Sequence, residues 1–187
     1  MTKKIILGFV GKLASGKGTI AKYLSEHHQA EVLMFSQPLR DVLDRFYLPQ
    51  TRGNMQGVSK SLREALGQDV IAKVIAEDAK KSAASLLAVD GVRRPMDIVF
   101  LRELPGFYLI KVETDQKIRY TRMTKRGQNP DDHTTTFEEF QKKDIAEAES
   151  LIDEVAKDAK FAIDNNGTFE ELYKQLEEIL INIQSES

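Results

Sequence analysis

Ile5-Ile6-Leu7-Gly8-Phe9-Val10-Gly11-Lys12-Leu13-Ala14-Ser15-Gly16-Lys17-Gly18-Thr19 is the stretch that decides the fold of this chain. Ile5 to Val10 is apolar almost without interruption, as in a strand buried on both faces of a parallel sheet. A turn that fits Gly-x-x-x-x-Gly-Lys follows at once, and Ile20, Tyr23 and Leu24 then recur at helical spacing. Strand, glycine-rich loop and helix in that order form the first half of a βαβ unit, the setting in which such a loop binds phosphate.

The spacing has a chemical reason. Glycines let the backbone curl until successive N–H groups point at phosphate oxygens, and a helix starting near Gly18 adds its positive dipole end. Lys17 supplies a mobile charge for the outer phosphates. Gly11, Ala14, Ser15, Gly16, Lys17, Gly18 and Thr19 are therefore assigned to a cradle for a donor nucleotide. Glycine follows the lysine where a hydroxyl residue is usual, so a hydroxyl ligand for magnesium falls to Thr19 or to water.

Outward from this loop, strands alternate with helices. Val32 to Phe35, Leu86 to Val89, Phe107 to Val112 and Phe161 to Ile163 read as four further short strands. Ser36 is placed to cap a helix through Leu39, Val42, Leu43 and Phe46, and a last amphipathic helix runs from Phe169 to about Ile183. Pro49 to Gly57 reads as a mobile connection, and one long helix from Ser59 or Ser61 is expected to turn Leu62, Leu66, Val70 and Val74 to the core, with Ile71 and Ile75. Gly67 would then lie inside that helix, at a cost of about 1 kcal/mol relative to alanine. The pattern predicts an α/β chain with a five-stranded parallel sheet covered by helices on both faces.

Composition narrows the class. The 187 residues, 41% of them hydrophobic, are enough for one sizeable core, and a single domain over 1–187 is expected. The formal charge of −2 offers no general basic field for nucleic acid or an anionic membrane, so any anion site is local. The absence of cysteine excludes disulfides and thiolate zinc sites, and three scattered histidines do not make a metal cage. The apolar run after Lys3-Lys4 is too short for a secretory core or a membrane span, so a soluble, cytoplasmic protein is expected.

Gly16-Lys17-Gly18-Thr19 resembles the loop of adenylate kinase and its nucleoside monophosphate kinase relatives, and most of the chain is similar to that superfamily in the same order. A poorly characterised archaeal group of P-loop kinase-like proteins looks closer still. The resemblance implies a three-layer P-loop NTPase fold with a short lid, and ATP and Mg2+ as cofactors. It places an acceptor-side helical region at about 37–82 and the lid at about 115–145. Phe35-Ser36-Gln37-Pro38-Leu39-Arg40 resembles the segment that grips the acceptor phosphate, which implies Ser36 and Arg40. Val89-Asp90-Gly91-Val92-Arg93-Arg94 resembles the stretch after the third strand, which implies Asp90 for magnesium, beside Thr19, and Arg93 or Arg94 for the acceptor.

Arg119, Arg122 and Arg126 fall along one helical face, and in the superfamily this segment opens the lid whose arginines close over the transferring phosphoryl group. Arg126, then Arg122, is implied as the transition-state cation with Lys17 and Asp90, and Arg119 as a nucleotide contact. Gly127 to Asp132 looks like the lid loop, with only Lys142 and Lys143 near the place of a later lid arginine. Ile163 to Thr168 resembles the loop that touches adenine through its backbone, with Gly167 allowing close approach, although a plain turn with Thr168 as N-cap looks the same.

The resemblance implies transfer from ATP to a small phosphate-bearing acceptor, a nucleoside or deoxynucleoside monophosphate first. Dephospho-CoA and phosphomevalonate are alternatives. The helix of Ser61 to Asp69 resembles acceptor-side helices of deoxynucleotide kinases, so Arg63 joins the acceptor residues. Small nucleotides are the expected partners, without nucleic acid or membrane. Two rival classes remain: a P-loop ATPase acting as a nucleotide-dependent switch, and an inactive nucleotide-binding module.

Overall fold

The computed structural model describes residues 4–126 and 133–186. Five parallel strands, β1 (Ile5–Val10), β2 (Glu31–Met34), β3 (Leu86–Val92), β4 (Phe107–Glu113) and β5 (Phe161–Asp164), lie in the order β2-β3-β1-β4-β5. β1 is central, and from Leu7 to Val10 it is wholly buried. Its alternate side chains feed two cores. Ile6 and Val10 meet Ile71, Ile75 and Ala79 of α4 (Val70–Lys81) and Ile152 and Val155 of α7 (Phe137–Ala156). Leu7 and Phe9 meet Ile20 and Leu24 of α1 (Lys17–His28) and Leu172, Leu176 and Ile179 of α8 (Phe169–Ser185). Each buried aliphatic side chain contributes about 1.5–3 kcal/mol, so both layers are needed to hold β1.

This is the expected sheet, and its strand order positions the site. The chain leaves β1 toward β3 and β2 on one side, then crosses to β4 and β5 on the other. Such a reversal opens a crevice at the carboxyl ends of the central strands, where the loop after β1 lies. Among the described residues no helix is long and apolar enough to cross a membrane.

The region of 46–82 differs from expectation. Pro49 to Gly57 is not a loop throughout, because α3 (Arg52–Leu66) starts after Thr51, whose hydroxyl accepts from the Asn54 N–H at 3.2 Å. This cap, with Val58 and Leu62 packed on the core, outweighs the helix cost of Gly53 and Gly57. The single long helix is two helices. Gly67, at φ 107° and ψ 149°, ends α3 in a conformation open to glycine, and α4 begins at Val70. Gly67 is thus a helix terminator and not a close-packed interior glycine. The break rotates the apolar stripe, leaving Leu66 62% and Val74 39% exposed while Ala72, Ala76 and Ala79 go inside.

The remaining helices are α2 (Gln37–Arg45), α5 (Pro95–Ile98) and α6 (Gln116–Arg126). Ser36 is the N-cap of α2, but its side chain makes no capping bond, and Pro38 in the first turn supplies the start signal instead. Thr136 and Thr168 begin α7 and α8 with full capping boxes to Glu139 and Glu171.

Candidate active site

The loop after β1 is curled and braced. Ala14 at φ 60° and Gly16 at φ 105° put two left-handed turns either side of Ser15, which is 1% exposed. The Ser15 carbonyl accepts from Thr114 Oγ1 at 2.9 Å and from Asn165 Nδ2 at 2.8 Å, so the loop is tied to the ends of β4 and β5. A Cβ on Gly11 would lie 2.5 Å from the Val112 carbonyl, and one on Gly16 would collide with Asn165 Nδ2. A Cβ on Gly18 would meet nothing within 4 Å, so the loop opens outward at the first turn of α1. Thr19, half-buried, is the third residue of that turn.

Lys17 folds back over the loop. Its ammonium donates to the carbonyls of Gly11 at 2.6 Å and Lys12 at 3.1 Å, and to Ser15 Oγ at 3.4 Å. These oxygens occupy the role that phosphate oxygens take in an anion site. Burial lowers the Lys17 pKa to about 8; Asp90 opposes that shift, and the charges of Arg93, Arg119 and Arg126 add to it. Asp90, Arg93, Arg119 and Arg126 are therefore all near enough to act on one ammonium. Four of the predicted residues, two from the end of β3 and two from α6, act on the loop's lysine.

Asp90 sits at the carboxyl end of β3, opposite Met34 of β2, and its carbonyl accepts the Phe35 N–H at 3.0 Å. The two following arginines part company. Arg93 is exposed and acts on Lys17, whereas Arg94 caps α5 and acts on Arg63 and on Asp97. Asp97 is buried and holds this corner: its Oδ2 accepts the N–H groups of Arg93 at 2.9 Å and Arg94 at 3.0 Å. Arg63 Nη2 lies 3.9 Å from Asp97 Oδ1, Nη1 donates to Ser59, and the buried Nε has no partner among the described residues. Burial, then the Arg94 charge, lowers the Arg63 pKa. Arg40, by contrast, donates to Gln50 Oε1 at 2.5 Å, and Gln50 donates on to Asp44.

The three arginines of α6 do not act alike. Arg119 is 3% exposed and spends four of its N–H donors within the chain: Nε to the Thr114 carbonyl, Nη1 to the Leu13 carbonyl, and Nη1 and Nη2 to the two oxygens of Asp144 at 2.7 and 2.6 Å. Arg119 was expected to contact the nucleotide; the geometry makes it instead a strut joining α6, α7 and the phosphate loop, because a buried carboxylate competes for its fork. Burial would raise the Asp144 pKa, but the hydrogen bonds from Arg119 and Gln116 outweigh it and hold the carboxyl low. Arg122 is the free donor. Its Nη2 reaches Asn165 Oδ1 at 3.4 Å, while Nη1 is buried without a partner among the described residues and faces Gly16. Burial lowers its pKa. Arg126 is exposed at the end of α6, and the expected lid loop, residues 127–132, lies outside the described residues.

Gly167 has an internal explanation. A Cβ there would collide with Glu171 Oε2, the carboxylate of the α8 capping box, so the glycine serves the cap. Asp97, Asp144 and Asn165 were not legible as site residues. Asp97, three residues after Arg94 and two after Pro95, carries a weak N3 signal, whereas Asp144 and the Asn165 side chain carry none.

The residues suit a polyphosphate: a guanidinium donor without a partner among the described residues, an ammonium resting on carbonyls, and an open Gly18 lie on or beside one loop. Among the described residues no group of three or more His, Cys, Asp or Glu holds a metal alone. Magnesium held largely through phosphates and water would need no such group. A recess of about 120 Å3 against the loop, lined by Gly11, Lys12, Ser15, Arg119 and Asp153 among others, is below the usual size of a ligand pocket.

Residues 7–150 match the family model described as AAA domain. A UPF0200 protein of Sulfurisphaera tokodaii is 32% identical, covering 95% of this chain and 97% of its own. One of Methanosarcina barkeri is 31% identical with 95% of both covered. Among solved structures, shikimate kinase of Bacteroides thetaiotaomicron superposes with TM-score 0.64 at 9% identity over 96% of this chain and 98% of that one. Shikimate kinase of Acinetobacter baumannii gives 0.55 at 17%, with 97% and 96% covered. These likenesses establish the P-loop kinase-like fold.

Proposed function

We propose, for a chain that belongs to the AAA domain family and to the UPF0200 proteins, that it is an ATP-dependent phosphotransferase whose acceptor is a small phosphate-bearing molecule, a nucleoside or deoxynucleoside monophosphate first. One observation carries the reading: Lys17, Asp90, Arg93 and Arg126 converge electrostatically at a curled loop beside an Arg122 donor that has no partner among the described residues. A hydrolase acting on water has no use for cations that hold a second phosphate, a role open to Arg93 beside Lys17 and to Arg94 and Arg63 about Asp97.

ATP would supply the transferable phosphoryl group, and Thr19 and Asp90 would hold Mg2+, which would offset the charge of the phosphates. The chain's own work is positioning and charge stabilisation. Backbone N–H groups of residues 14–19 receive the polyphosphate, and Lys17 exchanges its carbonyl partners for phosphate oxygens. Arg122 and Arg126 face the charge that spreads over the phosphoryl oxygens as the bond to the leaving group breaks. Arg93, with Arg94 and Arg63 held about Asp97, presents the acceptor, and Arg40 joins them by leaving Gln50. Adenine is assigned to the loop of 164–168.

The test offers ATP, magnesium and a panel of nucleoside and deoxynucleoside monophosphates, dephospho-CoA and phosphomevalonate, and follows ADP release. A monophosphate is expected to accelerate release far above the rate with water. Uniform background hydrolysis across the panel would replace this reading with that of a nucleotide-dependent ATPase.

A further inference from the structure

Asn165 carries one carboxamide between two parts of the site. Its backbone N–H donates to the Glu113 carbonyl at 2.8 Å, which fixes the residue beside the end of β4, and the residue is 3% exposed. Nδ2 donates to the Ser15 carbonyl at 2.8 Å, while Oδ1 accepts from Arg122 Nη2 at 3.4 Å. The orientation is dictated by chemistry. A carbonyl on one side demands the amide N–H, and a guanidinium on the other demands the oxygen. With Nη2 so engaged, Nη1 is left buried, without a partner among the described residues, and near Gly16 at the start of α1. A buried donor left unpaired costs about 1–3 kcal/mol, so it is kept where something else satisfies it.

We infer that Asn165 is the positioning residue of Arg122: it ties the guanidinium to the phosphate loop so that the free Nη1 meets an oxygen of the donor's polyphosphate. The inference rests on the kinase reading of the same site, and it adds a role for a side chain of the loop otherwise assigned to adenine. Asn165 itself touches no phosphate. Its effect passes through Arg122, and this separates it from a residue that merely stiffens the loop.

The probe is inorganic tripolyphosphate with magnesium, because it lacks adenine and so ignores any disturbance of the base site. Titration calorimetry of the full chain compares the wild type with Arg122→Ala, Asn165→Ala and the double variant, each checked for an unchanged melting temperature. Arg122→Ala is expected to bind roughly ten- to hundredfold more weakly. Asn165→Ala should lose a similar factor, and the double variant no more than Arg122→Ala alone. Asn165→Asp keeps the shape but pairs its charge with Arg122 and loses the donor to Ser15, so it should bind as poorly as Arg122→Ala. Losses that multiply in the double variant, or an Asn165→Asp protein that binds as the wild type does, would overturn the inference while leaving the phosphate loop intact. A wild type that binds no tripolyphosphate would remove the kinase reading and this inference together.

Discussion

Raising the pH should weaken polyphosphate binding well before ordinary lysine chemistry would. Lys17 titrates at about 8 in the free protein, lowered from 10.5 first by burial, and phosphate binding favours its charged form. About nine-tenths of the molecules carry the charge at pH 7 and about one-tenth at pH 9. Affinity for an ATP analogue with magnesium should therefore fall roughly tenfold between these two conditions, with close to one proton taken up per complex at the higher pH. Calorimetry in buffers of different ionisation enthalpy reads both quantities. Lys17→Arg, which keeps its charge throughout, should lose the pH dependence. Stability runs the other way: the folded state binds fewer protons than the unfolded chain between about 8 and 10.5, so resistance to urea should rise across that window. Equal affinity at pH 7 and 9, without proton uptake, would refute the placement of the Lys17 ammonium over the loop.

Three further outcomes are expected. Arg119→Ala or Asp144→Ala leaves one buried charge alone and should cost about 3–5 kcal/mol in urea denaturation, whereas replacing both by apolar residues should cost much less; because the Asp144 pKa is lowered, its contribution should persist above the ordinary carboxyl range and be lost as pH falls through the depressed value. Gly67→Ala forces a side chain into a conformation open to glycine and should cost about 1–3 kcal/mol, a drop of roughly 2–12 °C in melting temperature by scanning calorimetry. Gly11→Ala, with its Cβ 2.5 Å from the Val112 carbonyl, should displace the loop and abolish nucleotide binding while circular dichroism shows the fold retained.

Much of the fold was readable because burial in a parallel sheet writes continuous apolar runs. Ile5 to Val10 matched its strand residue for residue, and the other four strands were placed to within a few residues of their ends. The 46–82 region was misread because local propensity and tertiary packing disagree there. Gly53 and Gly57 look like loop residues until Val58 and Leu62 are packed, and Gly67 reads as a helix interior unless its positive φ is known. Within the site, motif spacing points to Lys17 and the family resemblance to Asp90, and the structure puts Lys17 over the loop and Asp90 near the end of β3. Side-chain partnership was not legible. Arg119 and Arg122 are three residues apart on one helix, yet one is consumed by Asp144 and the other keeps a donor without a partner among the described residues. That difference depends on which residue of α7, twenty-five positions away, meets the helix face.

A crystal structure of the chain with magnesium and a non-hydrolysable ATP analogue tests the site most directly. Lys17 Nζ should have left the Gly11 carbonyl for a phosphate oxygen, and Arg122 Nη1 should lie within hydrogen-bonding distance of the same polyphosphate. A triphosphate bound elsewhere, with Lys17 still on Gly11 and Arg122 still unpartnered, would contradict it.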